Sequence, residues 1–272
     1  MRFGRIGRAG RPSPPEGFRS PGAIQRILAE TARSALDRFR IPRLSGGLVD
    51  NLRQGSTGDQ VKLLQRLLNK GIAPTPPLNE DGIYGAKTLA ALLEFKRSER
   101  MTPTPNVDGP VWQKLGITID IAPTVTLFPQ PTGMTCWSAS ATMVLGSNQS
   151  IGPGRAVLGN DGGMNPTVQN IETFTKGLHW RLYYPMSWTV RGIADLLRRG
   201  PAWAVGGGNS PTGGWLHAIV ISGIWSDGDE NGSGTMLRIH DPWPPQVGKV
   251  YGRFYRGTID GFDFITLYVA QP

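Results

Sequence analysis

The chain has 272 residues, 39% of them apolar, which is enough to bury a core and exceeds the common size of one domain, so two folded units are expected. Its single cysteine, Cys136, excludes an intramolecular disulfide and any zinc site built from several thiolates. The three histidines, His179, His217 and His240, match no metal-ligand spacing, so no metal and no cofactor are expected. The formal charge of +9 sits mostly in residues 1–45, where ten arginines face three carboxylates and leave +2 for the rest.

Residues 1–47 are read as a basic, largely disordered segment with one amphipathic helix. Residues 1–22 have the composition of disorder, whereas Ile24, Ile27, Leu28, Ala32, Ala35, Leu36 and Phe39 recur at helical threes and fours. A terminus rich in arginine, glycine and proline reads as a solubilising or export segment, so no nucleic-acid partner is expected. Arg2, Arg5, Arg8 and Arg11 run into Pro-Ser-Pro-Pro-Glu-Gly instead of an apolar core, which makes a poor secretory signal. No run of 18 apolar residues exists, so no membrane-spanning helix is expected.

Residues 48–118 read as a small three-helix unit. Thr57-Gly58-Asp59-Gln60 fits a capping box, and Val61, Leu64, Leu67 and Leu68 then line one face until Gly71. A proline-rich loop and the turn Asp81-Gly82-Ile83-Tyr84-Gly85 precede a second helix carrying Leu89, Leu92, Leu93 and Phe95. Val107-Asp108-Gly109-Pro110-Val111-Trp112 repeats that turn before a third, short helix ending near Leu115. The stretches Leu52-Arg53-Gln54-Gly55 to Leu68 and Asp81 to Thr88 resemble the peptidoglycan-binding domain of bacterial cell-wall enzymes. The resemblance implies peptidoglycan as a partner and places a ligand groove near the Asp-Gly turns, at Asp81, Tyr84 and Trp112. The second turn departs from the family pattern, lacking its second glycine and its threonine before Trp112.

Residues 119–272 form the last unit. Ile119 to Pro131 is extended by its prolines and β-branched residues. A helix follows from the register of Ala141, Val144 and Leu145, with Gly146 as its stop, so Cys136 lies in its first turn. Unpaired amides and the positive end of the helix dipole there favour the thiolate, the nucleophilic form. A buried, inert cysteine is the competing reading. Leu216-His217-Ala218-Ile219-Val220-Ile221 reads as a buried strand entered from a glycine-rich loop, which puts His217 at a cleft rim. Met236 to Asp241 reads as a second strand ending at Pro242, with Asp241 able to accept an imidazole N–H. Successive strand residues point to opposite faces, so only one of His240 and Asp241 can face His217, and Asp241 is chosen. His179 has no motif around it and is read as structural. Trp243 is read either as a shield over the His–Asp contact or as a core residue.

In this order Cys136, His217 and Asp241 resemble papain-like cysteine proteases of the compact bacterial branch, which includes bacteriocin-processing peptidases and effector proteases injected into host cells. Gln130 stands six places before Cys136, the family's spacing for the glutamine of the oxyanion hole. The larger papain signature has a cysteine three before the nucleophile. Gly133 stands there in this chain, and absence of the associated disulfide suits a reducing destination.

The resemblances imply an α+β fold: a helix bearing Cys136 packed on an antiparallel sheet, preceded by the three-helix unit. They also imply a monomeric cysteine peptidase acting on proteins or peptides, exported or wall-associated by a route without a typical signal peptide. Cleavage of peptidoglycan peptides and an inactive wall-binding adaptor remain the alternatives.

Overall fold

The computed structural model describes residues 51–165, 167–208, 215–255, 258–259, 262–263 and 267–272. The basic segment 1–47 with its expected helix, and loop residues 209–214, lie outside the described residues. The described residues fall in one compact unit.

Three helices come first: α1 (Asp59–Ile72), α2 (Ala86–Ser98) and α3 (Gly109–Lys114). The expected capping box does not form. Gly58 is the N-cap residue with no side-chain cap, and Thr57 is paired as an isolated bridge with Ile83. Gly71 does not end α1 either, since the chain continues to Ile72 and turns out through Ala73 in the left-handed region (φ 45°). Asp108 does cap α3, accepting the Val111 N–H. The apolar faces of these helices, with Val61, Leu64, Leu67, Leu68, Leu92, Phe95 and Val111, make one core.

The rest is helices on a seven-stranded sheet. Strands β1 (Ile119–Ile121), β2 (Arg181–Tyr183), β3 (Ala202–Gly208), β4 (Trp215–Ser226), β5 (Thr235–Asp241), β6 (Lys249–Phe254) and β9 (Tyr268–Gln271) run in the order β2-β9-β3-β4-β5-β6, with β1 on the far half of β4. Their pairings are antiparallel. The short strands β7 (Thr258–Ile259) and β8 (Phe262–Asp263) pair separately. Helices α4 (Cys136–Leu145), α5 (Val168–Gly177) and α6 (Val190–Arg198) complete the order. Alternation along β4 sorts the two faces: Ala218 and Val220 pack with α4 and α5, while Ile219, Ile221 and Ile224 pack with α6. The fold is therefore α+β, helices packed on an antiparallel sheet and preceded by a three-helix part.

The two parts share apolar interior. Trp225 of β4 and Met236 of β5 are buried in the helical core, and Phe254 packs against it under the Arg66 guanidinium, 3.3 Å from the ring centroid. Polar contacts surround this seam. Asp59 accepts the Gly252 N–H at 2.8 Å, and the Lys70 ammonium lies 2.7 Å from Asp227 and 3.1 Å from Asp229.

Candidate active site

Helix α4 begins at Cys136, so the Cys136 amide has no intrahelical acceptor. It ends at Gly146, which takes the left-handed conformation (φ 62°) that its missing Cβ permits. Its residues from Trp137 to Val144 are buried, while Cys136 itself is half-buried at the open end. One turn beyond the cysteine, the Ser140 hydroxyl donates to the Ala218 carbonyl at 2.8 Å. That bond fixes the start of the helix against β4 beside His217. The Trp203 indole N–H donates to the Trp137 carbonyl at 3.2 Å, tying the same turn to β3.

His217 pairs across the ladder with Gly206, which presents no side chain opposite it. The imidazole Nε2 is 2.7 Å from Asp241 Oδ1, and the ring is also hydrogen-bonded to Cys136. Asp241 ends β5 and is 4% exposed. Its Oδ1 accepts the Trp243 N–H at 2.8 Å as well, and its Oδ2 lies 3.4 Å from the Tyr251 hydroxyl and 3.6 Å from the Lys249 ammonium. Burial opposes a charged His217 ring, but the hydrogen bonds to Asp241 and Cys136 and the negative charges there outweigh it. They lift the pKa from 6.5 to about 9. Sulfur and carboxylate are thus connected in one line of contacts through the His217 ring. His240, the strand neighbour, faces the other way and bonds to Ser222 through Nδ1 at 2.7 Å.

Gln130 is anchored beside that line by its backbone, whose N–H donates to Pro242 at 3.1 Å and whose carbonyl accepts the Gln246 N–H at 3.0 Å. Its buried side chain donates one amide hydrogen to the Thr132 carbonyl at 2.6 Å, and its Oε1 has no partner among the described residues.

Residues 117–251 match the family model of the papain-like cysteine protease AvrRpt2, and residues 57–115 match that of a peptidoglycan binding domain. The chain carries a papain-like cysteine protease domain. No curated protein matches the chain.

In this protease an apolar pocket opens between α4 and β4. Met134, Trp137, Met164, Trp203, Val205 and Leu216 line it together with Cys136 and His217. Met134 and Leu216 are exposed at its rim. The loop bearing Met164 is held to α4 by the Trp137 indole N–H, which donates to Gly162 at 3.1 Å. Sequence reasoning missed this pocket, whose walls come from five separate segments; Trp203 within the short apolar run Ala202–Val205 was the one legible signal.

The residues expected to touch the wall polymer fare differently. Tyr84 is 1% and Trp112 3% exposed, so both are core side chains of the protease's helical domain and offer no surface to a ligand. The Tyr84 hydroxyl donates to the Pro105 carbonyl at 2.7 Å. Asp81 is exposed but occupied: it accepts from Gln65 at 2.8 Å and from the Ile83 N–H at 2.8 Å, and these bonds hold its pKa below the ordinary carboxylate value. Trp243 is 47% exposed and does not belong to the core; it meets Asp241 through its backbone.

Proposed function

We propose that the protease hydrolyses peptide bonds in protein substrates through Cys136, His217 and Asp241. The Cys136 sulfur attacks the scissile carbonyl carbon, and the carbon–oxygen π pair moves to the oxygen. The Cys136 amide holds that oxyanion, and the Gln130 amide, buried in the free chain, joins it with its second N–H once the side chain turns toward the sulfur. When the tetrahedral adduct collapses, His217 gives its proton to the leaving amine, and a thioester remains on Cys136. Water, losing its proton to His217, then attacks the thioester and releases the acid and the thiol. Asp241 keeps Nε2 occupied, which presents Nδ1 to the sulfur and steadies the imidazolium.

The observation that carries this reading is the His217 ring bonded on one side to a buried carboxylate and on the other to a half-buried thiol at the mouth of an apolar pocket. The pocket's lining favours an apolar substrate side chain next to the scissile bond.

A second reading, cleavage of peptidoglycan peptides, is favoured by the peptidoglycan-binding domain packed into the same core as the sheet. An association with the cell wall follows from that domain under either reading. Protein substrates are preferred because a carboxylate, not a second histidine, orients His217. Mass spectrometry of peptide-library and muropeptide digests, comparing the full chain with Cys136→Ala, decides between them. Cleavage of library peptides that disappears in Cys136→Ala is expected. Gln130→Ala should lower kcat by roughly a hundredfold without unfolding the chain. Cleavage of muropeptides alone would favour the second reading, and turnover surviving Cys136→Ala would remove both.

A further inference from the structure

Residues 122–131 form a strap with no strand pairing among the described residues, running from the end of β1 to Gln130 and on toward Cys136. Prolines at 123, 129 and 131 deprive it of three backbone donors. Its course is set from β5. Arg238 and His240 stand two residues apart on that strand and so share one face. Arg238 donates from Nη2 to the Pro123 carbonyl and, at 2.8 Å, to the Ser222 carbonyl, and from Nε to the Ser222 hydroxyl at 3.1 Å. His240 takes the Ser222 hydroxyl at Nδ1 and the Val125 backbone as its other partner. Ser222 sits where the register of β4 against β5 slips between Ile221 and Gly223, a bulge that turns one residue out of the ladder.

His240 is 5% exposed, and burying an imidazole and a guanidinium is costly unless their hydrogen bonds are met. Here they are met by strap carbonyls and one serine, none of which takes part in the chemistry. Burial, followed by the neighbouring Arg238 charge, pushes the His240 pKa down to about 4. The neutral ring then has one donor and one acceptor nitrogen, matching the two bonds it makes.

We infer that His240 and Arg238 are positioning residues for catalysis: by holding Pro123 and Val125 they fix the strap, and through it the placement of Gln130 relative to the Cys136 sulfur. This rests on the oxyanion role proposed for Gln130.

A double-mutant cycle on the full chain tests it, with kcat read on a fluorogenic peptide taken from the library digest and iodoacetamide alkylation of Cys136 read in parallel. Alkylation forms no oxyanion, so it reports the sulfur and His217 without Gln130. His240→Ala and Arg238→Met should each lower kcat roughly tenfold or more when Gln130 is present. Each should change it less than about twofold in the Gln130→Ala background, where no Gln130 amide remains to be misplaced. Alkylation rates should stay within about twofold throughout, and His240→Gln, which keeps a donor and an acceptor, should recover part of the loss. The two positions are tested separately, so one variant that fails to fold leaves the other. A full additional loss in the Gln130→Ala background, or alkylation falling in step with kcat, would overturn the inference while leaving Gln130's role intact. If Gln130→Ala alone leaves kcat unchanged, the oxyanion reading itself falls, and this inference with it.

Discussion

The shared interior of helices and sheet can be probed at Trp225. Its indole is 4% exposed among the α1–α3 side chains, although the residue belongs to β4 and pairs with Met236 of β5 and Asp120 of β1. A tryptophan buries on the order of 200 Å², or about 5 kcal/mol at ~25 cal/mol per Å². Compactness of the unfolded chain takes away up to about 40% of that. The Trp225 indole N–H has no partner among the described residues, so removing it breaks no hydrogen bond. Trp225→Ala should therefore cost about 3 kcal/mol, near the low end of such truncations. Because the cluster spans both parts, the loss should appear as one cooperative urea transition shifted down by roughly 1 M, given a slope of about 3 kcal/mol per M. Far-UV circular dichroism reads the backbone, and the alkylation rate of Cys136, which depends on its contact with His217 in the folded site, reads the protease side. Ile83→Ala, at a 57% exposed position, is the control and should cost less than about 0.5 kcal/mol. If Trp225→Ala splits unfolding into two steps and the thiol probe keeps its original midpoint, the two parts are independent and the shared-core reasoning fails.

Asp241→Asn should leave the fold intact but lower kcat by at least about a hundredfold, since an amide can donate to Nε2 and turn the imidazole to the wrong tautomer; steady-state kinetics check this. The His217 pKa, raised to about 9, gives kcat a basic limb near pH 9, because the protonated ring is the acid for the leaving amine and is lost as pH rises through that value. The same raised value contributes stability that is complete below about pH 6.5 and gone above about 9, which denaturant titrations across that window would show. His240 has the opposite sign. Between pH 6.5 and about 4 the unfolded chain binds a proton that the folded chain refuses, so stability falls with pH there by about 3 kcal/mol. His240→Gln should flatten that slope.

Much of the grouping of Cys136, His217 and Asp241, proposed above as catalytic, was legible in the sequence, because it follows from local rules. Helix register ending at Gly146 put Cys136 at an N-terminus, and the two-residue period of β5 allowed only one of His240 and Asp241 to face His217. The Asp-Gly turns and leucine spacing marked the helical unit in the same way. Helices α5 and α6 and strands β2, β3 and β9 did not enter that reading. The Val190, Ile193, Leu196 and Leu197 spacing of α6 carried a signal for one of them.

What the sequence determined alone is the periodicity of its elements and the chemistry available at their ends, since both depend on neighbours within a few positions. Tertiary structure decided what those ends meet. Tyr84 and Trp112 look like ligand-binding aromatics until packing buries them, and Trp225 and Met236 look like ordinary strand residues until the helices close over one face. The strap under Arg238 and His240 is the same case: a carbonyl 115 positions from its guanidinium is a contact that only the folded chain can bring within reach.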